Sequence, residues 1–170
     1  LPMKVIYHCY GGTHSSVLAA AIHLGLLEGK NNLSAQELFS CPLFDCLDHS
    51  QIGTINSMGK DSKGHEIYVM GCKNAGSLVE KIIPEFCRIV GINQDDILLV
   101  CTIPCLNIFL RIGGYLSRRV KLVALGRFFL LLGARLSMNS IRLIVREAKQ
   151  KLQEKENTKN RGILTDSKKI

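Results

Sequence analysis

The sequence contains no tryptophan, and aromatic residues make up only 6% of its 170 positions. RNA-recognition modules stack bases on aromatic side chains, so this composition does not favour such a module. Hydrophobic residues nevertheless account for 46% of the chain. A chain of this length and apolar content can form one domain with a sizeable core.

Acidic residues are missing from residues 97–146, a segment that carries eight basic side chains. These eight account for the net charge of +8, because the acidic and basic residues elsewhere balance. A segment whose charged side chains are all positive favours anionic partners such as phosphorylated metabolites, nucleic acid or lipid headgroups. A solvated basic face without a partner has the same pattern, so both interpretations stay open. The eight residues are Arg111, Arg118, Arg119, Lys121, Arg127, Arg135, Arg142 and Arg146.

No uncharged apolar run reaches the roughly twenty residues that a membrane-spanning helix needs. The longest run, residues 97–110, contains Pro104. The seven cysteines are odd in number, most lie in apolar runs, and no signal peptide is visible, which argues against a disulfide framework. We therefore expect reduced thiols in a cytoplasmic protein.

Apolar periodicity predicts strands that alternate with helices along most of the chain. This order predicts an α/β fold in three layers, with a mostly parallel sheet, helices on both faces and one inserted β-hairpin. We predict a single domain over residues 3–153 and a polar, disordered tail over residues 154–170. The predicted strands are residues 4–8, 97–101 and either 122–125 or 128–132, the hairpin joins 52–58 to 66–70, and the helices are residues 15–27, 77–90, 106–118 and 139–152, with a short capped helix from Ser34.

The most informative stretch, from Cys9 to Ser16, lies where the first predicted strand ends and the first helix begins. Ligands of parallel sheets bind at such places. Gly11 and Gly12 let the backbone approach a ligand closely, and the first helical turn offers unpaired N–H groups and the positive end of its dipole. Together with hydroxyl donors, these groups predict a cradle for an oxyanion such as phosphate. The hydroxyl donors are those of Thr13, Ser15 and Ser16.

Two common phosphate-binding motifs do not match this stretch. A nucleotide-binding P-loop would end in Gly-Lys-Ser or Gly-Lys-Thr, and a dinucleotide fingerprint would have three spaced glycines. Here Cys9 is followed by five residues and then Ser15-Ser16. That spacing resembles the Cys-x5-Arg-Ser loop of low-molecular-weight protein tyrosine phosphatases and the Cys-x5-Ser/Thr-Ser loop of sugar phosphotransferase B components.

Both families place the cysteine at the end of the first strand of a small parallel α/β domain. The resemblance implies phosphoryl transfer through Cys9, whose thiolate would be favoured by the facing helix N-terminus. The sequence departs from the phosphatases in two ways. Ser15 stands where they have arginine, and the chain has no Asp-Pro pair, which is their general-acid signature.

Each candidate in the loop also has a structural interpretation. Cys9 is either a nucleophile or a small hydrophobe at the end of a strand. His14 is either a general acid and anion donor or an exposed loop histidine. His8 alternates with Cys9 along the strand, so we expect it to point to the opposite face and to be structural.

Further candidates follow the later strands. Lys73 and Asn74 come after the hairpin, and Arg111, Arg118 and Arg119 follow the next strand, so we expect these side chains near the same sheet edge as Cys9. An ordinary connecting loop would explain residues 71–77 as well. We predict no metal site and no cofactor, because the spacing of Cys41, Cys46 and His49 does not match a zinc site.

Over most of its length, from Met3 to about Leu152, the chain resembles a bacterial family catalogued as domain of unknown function 3189. Residues 6–16, 66–71 and 111–119 carry the resemblance. It implies no particular activity, so the functional hypotheses rest on the residues.

The first hypothesis is a protein that binds phosphate or a phosphorylated small ligand at Cys9 to Ser16, with phosphoryl transfer through Cys9 as its catalytic form. The second is a non-enzymatic module that binds nucleic acid or an anionic membrane surface through residues 97–146. Strong salt dependence is expected of such charge-driven binding.

Overall fold

The computed structural model describes residues 2–27, 29, 32–47 and 49–166, without the side chains of His49 and of residues 160–166. Within these residues the fold is α/β, with one open sheet of four strands. The strands are β1 (Lys4–Cys9), β2 (Ile55–Lys60), β3 (Glu66–Gly71) and β4 (Ile97–Cys101).

Helices connect and flank the strands. The predicted cap of α2 is confirmed, because the Ser34 side chain accepts from the Glu37 N–H and the Glu37 carboxylate accepts from the Ser34 N–H. The helix α4 continues directly into a π-helical turn, Tyr115–Arg119. The helices are α1 (Ser15–His23), α2 (Ala35–Phe39), α3 (Gly76–Ile89), α4 (Ile108–Gly114) and α5 (Val123–Asp166), with short 3-10 segments at His49–Gln51, Gln94–Asp96 and Ile103–Cys105.

The sheet has the order β2-β3-β1-β4, and β1 runs parallel to both of its neighbours. β2 and β3 form the predicted antiparallel hairpin at one edge. The mostly parallel sheet and the inserted hairpin are therefore confirmed. Because Cys9 pairs with Gly71 and His8 with Cys101, the carboxyl ends of three strands lie side by side. The loops that follow them share one edge of the sheet.

The hydrophobic core joins the sheet to α1 and α5. Val5 and Tyr7 of β1 are fully buried in it, together with Val69 of β3. Ala20 of α1 and Leu130 of α5 are buried in the same cluster. The small side chains of α1 let the helix pack closely, which holds the first turn of α1 against the end of β1.

The predicted last strand, over residues 122–125 or 128–132, is wrong, because residues 123–125 and 128–132 belong to α5. A short apolar run fits a buried helix as well as a buried strand, and only packing decides between them. Here α5 packs closely against α4. A Cβ at Gly113 would lie 2.7 Å from the Leu130 nitrogen, and one at Gly133 would lie 2.6 Å from the Leu110 nitrogen. Glycines at these contacts allow the two helices to meet.

The segment predicted to be a disordered tail also differs from the expectation. α5 continues to Asp166, so residues 154–166 are helical. Its charged side chains reach neighbouring loops: Lys155 pairs with Asp95 at 3.3 Å, and Lys159 pairs with Asp96. A polar composition fits an exposed helix with charged partners as well as a disordered tail, so composition alone does not distinguish the two. Residues 167–170 lie outside the described part of the chain.

By length and composition, the part of α5 over Val123–Lys159 could cross a membrane. No segment of the sequence suggested this, because charged residues interrupt every long apolar run. Such a helix is weak evidence for a membrane span, since core helices pass the same test. In the fold, Ala134, Ile141 and Val145 of α5 are buried in the core.

We predict that Gly113→Ala lowers the free energy of unfolding by about 2 kcal/mol, because the added methyl group meets the α5 backbone and overpacks the contact. Chemical denaturation measures the change. Asn139→Ala, at an exposed position of α5, is the control and should stay within about 0.5 kcal/mol of the wild type. A Gly113→Ala protein as stable as the wild type would contradict the close packing of α4 on α5.

Candidate functional site

A cleft of about 1170 Å³ opens at the carboxyl-terminal edge of the parallel strands. The loop after β1 forms one wall, and the segment after β3 and the α4 region form the others. The structure thus brings together side chains that the sequence placed at this edge from three separate segments. The candidates among the lining residues are Cys9, Gly11, Thr13, His14, Lys73, Asn74, Arg111, Arg118 and Arg119.

Cys9 lies at the base of this loop, and the residue is only 2% exposed. The Gly12 N–H donates to Sγ at 3.1 Å, and the Ser16 hydroxyl lies 3.2 Å from it. Cys9 is buried but is not a member of the hydrophobic core cluster, whereas Cys41 and Cys105 are. Its surroundings are those of a polar site.

The loop keeps its curled shape because its backbone packs directly on the end of β3. Gly12 has φ +73°, and a Cβ there would lie 2.4 Å from the Gly71 nitrogen. The β3 end also holds the loop through two backbone bonds of 2.9 Å, from Cys72 N to Cys9 O and from Lys73 N to Tyr10 O. The glycine at position 12 is therefore a steric requirement.

The first turn of α1 has the free donors that the sequence predicts. Within the described residues, no hydrogen bond satisfies the backbone N–H groups of Thr13, His14, Ser15 or Ser16. The first helical bond runs from Leu18 N to His14 O, and the helix has no side-chain N-cap. These orphan N–H groups, with the positive end of the helix dipole, favour an anion.

Two of the predicted hydroxyl donors form hydrogen bonds within the protein and do not point into the cleft. The Thr13 hydroxyl donates to Leu43 O at 2.8 Å and accepts from the backbone N–H groups of residues 46–47. The Ser15 hydroxyl lies 3.0 Å from the Thr102 hydroxyl. The expectation that these hydroxyls face a ligand is therefore corrected. What Thr13 and Ser15 can offer a ligand is their backbone N–H.

Asp45, which sequence analysis missed, lies behind the cleft and contacts two residues that line it, His14 and Arg118. Its carboxylate lies 3.2 Å from His14 Nε2 and accepts from Arg118 Nε at 3.0 Å and from the Ser117 hydroxyl at 2.6 Å. Asp45 is 4% exposed and has φ +53°. An acidic residue within the apolar run of residues 43–47 was the available signal, because a buried carboxylate requires partners.

Asp45 orients His14 as a charged partner. Burial raises the pKa of Asp45, but the hydrogen bonds of His14 and Ser117 and the charge of Arg118 outweigh it, so the pKa lies below its usual value. The carboxylate is therefore ionised at neutral pH. A Cβ at Gly114 would lie 2.7 Å from His14 Cε1, so the absence of a side chain at this position makes room for the imidazole.

The basic side chains of residues 97–146 do not form a single face. Arg111, Arg118 and Arg119 line the cleft, whereas Arg127 lies 4.8 Å above the Phe39 ring. Arg135 donates to a backbone carbonyl at 2.8 Å. Two more line a second cleft of about 630 Å³ beside the hairpin turn, namely Arg142 and Arg146.

The histidines and cysteines outside the loop are placed differently. His8 points to the other face of the sheet, as expected, where Nε2 lies 3.0 Å from Glu80 Oε1 of α3. Cys41 is buried and Cys46 is exposed. The side chain of His49 lies outside the described part, so the partial metal site considered for these three residues stays untested.

A family model described as "Protein of unknown function (DUF3189)" matches residues 4–150, so the chain belongs to this family, as its resemblance indicated. No curated protein and no solved structure matches the chain at a significant level. The family description assigns no activity, and the chemistry of the cleft carries the functional inference.

We predict that Asp45→Asn lowers the free energy of unfolding by about 3 kcal/mol at pH 7, because it leaves the buried partners of the carboxylate without a counter-charge. The depressed pKa means that this stabilisation is complete above about pH 4, the usual carboxyl value, and is lost as pH falls through the folded-state pKa. The difference between wild type and variant should therefore shrink below about pH 4.

Urea unfolding at several pH values measures this difference. The control is Asp95→Asn, which removes the exposed pair with Lys155 and should cost less than about 1 kcal/mol. A difference between wild type and Asp45→Asn that does not change with pH would contradict the buried network.

Proposed function

We propose that this member of the DUF3189 family binds phosphate or a phosphorylated small molecule in the cleft at residues 9–16, and that Cys9 accepts the phosphoryl group. One observation carries the proposal. Cys9 Sγ, held by the Gly12 N–H and the Ser16 hydroxyl, lies next to a row of unbonded N–H groups at the start of α1.

The cleft suits a small phosphorylated molecule. The N–H groups of Thr13 to Ser16 bind the phosphate oxygens, and the dipole of α1 adds a favourable potential. Lys73 and Arg111 add positive charge from the other walls. A volume of about 1170 Å³ lies slightly above the usual range of small-molecule sites, about 300–1,000 Å³. Leu47, Ile52 and Leu106 also line the cleft and can pack against the organic part of the ligand.

The catalytic step is a phosphoryl transfer to sulfur. The Cys9 thiolate attacks phosphorus, the S–P bond forms, and the bond from phosphorus to the leaving oxygen breaks. The leaving oxygen takes a proton from His14, which Asp45 holds in place. The loop N–H groups stabilise the charge on the other phosphoryl oxygens. Water or a second acceptor then takes the phosphoryl group from Cys9.

The arginine that the phosphatases have at the Ser15 position is absent, and its charge has to come from elsewhere. Arg111 and Arg119 line the same cleft from the α4 region. Arg118 also lines it, but Asp45 already accepts a hydrogen bond from its guanidinium group. We infer that Arg111 takes the role of the missing arginine, since a guanidinium group binds phosphate through paired hydrogen bonds.

The same contacts support a finer description of the fold. His8 and Cys9 point to opposite faces of β1. Cys9 faces α1, and His8 reaches Glu80 of α3. We infer a three-layer arrangement in which α3 covers one face of the sheet, and α1 and α5 cover the other.

Free thiols are typical of proteins in a reducing environment. All seven cysteines are unpaired in the structure, and the proposed nucleophile requires a free thiol. We therefore propose a cytoplasmic location, since disulfides are rare there.

We predict that phosphate or vanadate raises the melting temperature. At a concentration of about one hundred times the dissociation constant, the stabilisation should be about 2.7 kcal/mol, which corresponds to roughly 5–10 °C for a chain of this size. Thermal scans with phosphate, sulfate, vanadate and nucleotides measure the shift. No shift with any of these anions up to millimolar concentrations would contradict the anion site.

Cys9→Ser tests the transfer step separately. The variant should still shift in melting temperature with phosphate, but it should lose phosphoester hydrolysis and any phosphocysteine adduct seen by mass spectrometry. Cys87→Ser, in α3 and remote from the cleft, is the matched control and should keep both. Equal activity of Cys9→Ser and wild type would exclude Cys9 as the nucleophile and leave the binding site intact.

A second candidate function is contact with an anionic membrane surface. Exposed apolar side chains follow one face of α4 at helical spacing, namely Ile108, Ile112 and Tyr115. Leu125 and Phe128 continue the exposed apolar surface at the start of α5. The surrounding segment is basic and has no acidic residue. Apolar side chains beside basic ones fit lipid headgroups and acyl chains better than nucleic acid.

We predict that the full chain binds vesicles of phosphatidylserine and phosphatidylcholine at low salt but not vesicles of phosphatidylcholine alone. Phe128→Ser should weaken this binding about tenfold, because the ring loses its apolar burial. Phe86→Ser is the matched control, since Phe86 is 60% exposed on α3 and Phe128 is 63% exposed on α5. Sedimentation with vesicles measures the affinity. Equal loss for the two variants, or binding to neutral vesicles, would contradict this interface.

A further inference from the structure

A second group of reactive side chains lies on the face of the sheet that α3 covers. The parallel register pairs His8 of β1 with Cys101 of β4, so both side chains point to the same face. Glu80 of α3 lies against them, with Oε1 at 3.0 Å from His8 Nε2. Cys9 points away from this group, towards the cleft.

The three side chains have the geometry of metal ligands. One ligand atom from each of His8, Glu80 and Cys101 lies within 4.8 Å of the others. Zinc bonds of about 2.0–2.3 Å place neighbouring ligand atoms roughly 3–4 Å apart, so small side-chain rotations close the site. Both Glu80 and Cys101 are on the more exposed side, which leaves them room to move and gives an ion a path from solvent.

The buried His8 ring is held in the orientation that a metal ligand needs. Its other nitrogen, Nδ1, lies 3.6 Å from Cys72 Sγ. The Cys72 thiol can donate to Cys9 O at 3.3 Å, which leaves its sulfur free to accept a bond from His8 Nδ1–H. Metal-bound histidines donate their second N–H to such a partner, which fixes the ring and directs Nε2 to the ion.

We propose that His8 Nε2, Glu80 and Cys101 Sγ bind one Zn²⁺ ion and leave its fourth position open to water. A nitrogen, an oxygen and a sulfur ligand suit zinc, whereas Mg²⁺ and Ca²⁺ require oxygen ligands. On binding, the Cys101 thiol gives up its proton to solvent, and the imidazole proton shifts from Nε2 to Nδ1.

The test uses the full chain after treatment with a chelator. Titration with Zn²⁺ against a chromogenic chelator should give one ion per chain, and Co²⁺ should give a sulfur-to-cobalt charge-transfer band. Cys101→Ser should abolish this band, and Glu80→Gln should weaken zinc binding by more than about tenfold. His8 is fully buried, so the test rests on the two more exposed ligands, and circular dichroism confirms that both variants fold.

Matched controls separate this site from other thiols and carboxylates. Cys46→Ser changes an exposed cysteine outside the group, and Glu85→Gln changes an exposed glutamate of the same helix. Neither should alter binding. An unchanged cobalt band in Cys101→Ser, equal losses in Glu80→Gln and Glu85→Gln, or no zinc bound at micromolar concentrations would overturn the proposal. Loss of the band in Cys46→Ser would place the ion elsewhere and would overturn it too.

Discussion

The close approach of the Gly12 and Gly71 backbones is the constraint on which the cleft depends. No side chain fits between them, because a Cβ at position 12 would lie 2.4 Å from the Gly71 nitrogen. This contact curls the loop so that the Gly12 N–H reaches Cys9 Sγ at 3.1 Å. It also sets the direction in which the chain enters α1. The unbonded N–H groups of residues 13–16 lie at this entry. The sulfur and the donors of the first turn therefore share one small region.

Asp45 gives the cleft wall its second constraint. A carboxylate beside the proposed anion site would ordinarily oppose binding, but this one faces His14, Ser117 and Arg118 from two other segments. Its charge is thus directed to these partners and away from the loop of residues 9–16. The same contacts tie the loop of residues 43–47 to the π-helical turn after α4, so that binding geometry and fold stability depend on one buried network.

The last two residues of β1 point to opposite faces of the sheet. Because side chains alternate along a strand, Cys9 faces α1 and the cleft, whereas His8 faces α3 with Cys101 and Glu80. The proposed phosphoryl chemistry and the proposed zinc site are therefore neighbours in sequence but separate in space. The exposed apolar side chains of α4, of the turn that follows it and of the start of α5 carry the proposed membrane contact.

The sequence by itself determined the local elements: β1, the capped start of α2, the hairpin, β4 and the free first turn of α1 at the Cys-x5-Ser-Ser motif. These features depend on residues close together in the chain, since periodicity, caps and turns are local. Only the tertiary structure decided that residues 123–132 form a helix, that the Thr13 and Ser15 hydroxyls turn inward, and that Asp45 supports His14. Each of these depends on partners far apart in the sequence, whose meeting is set by strand register and by the fit of α5 against α4 and α1, which no local pattern encodes.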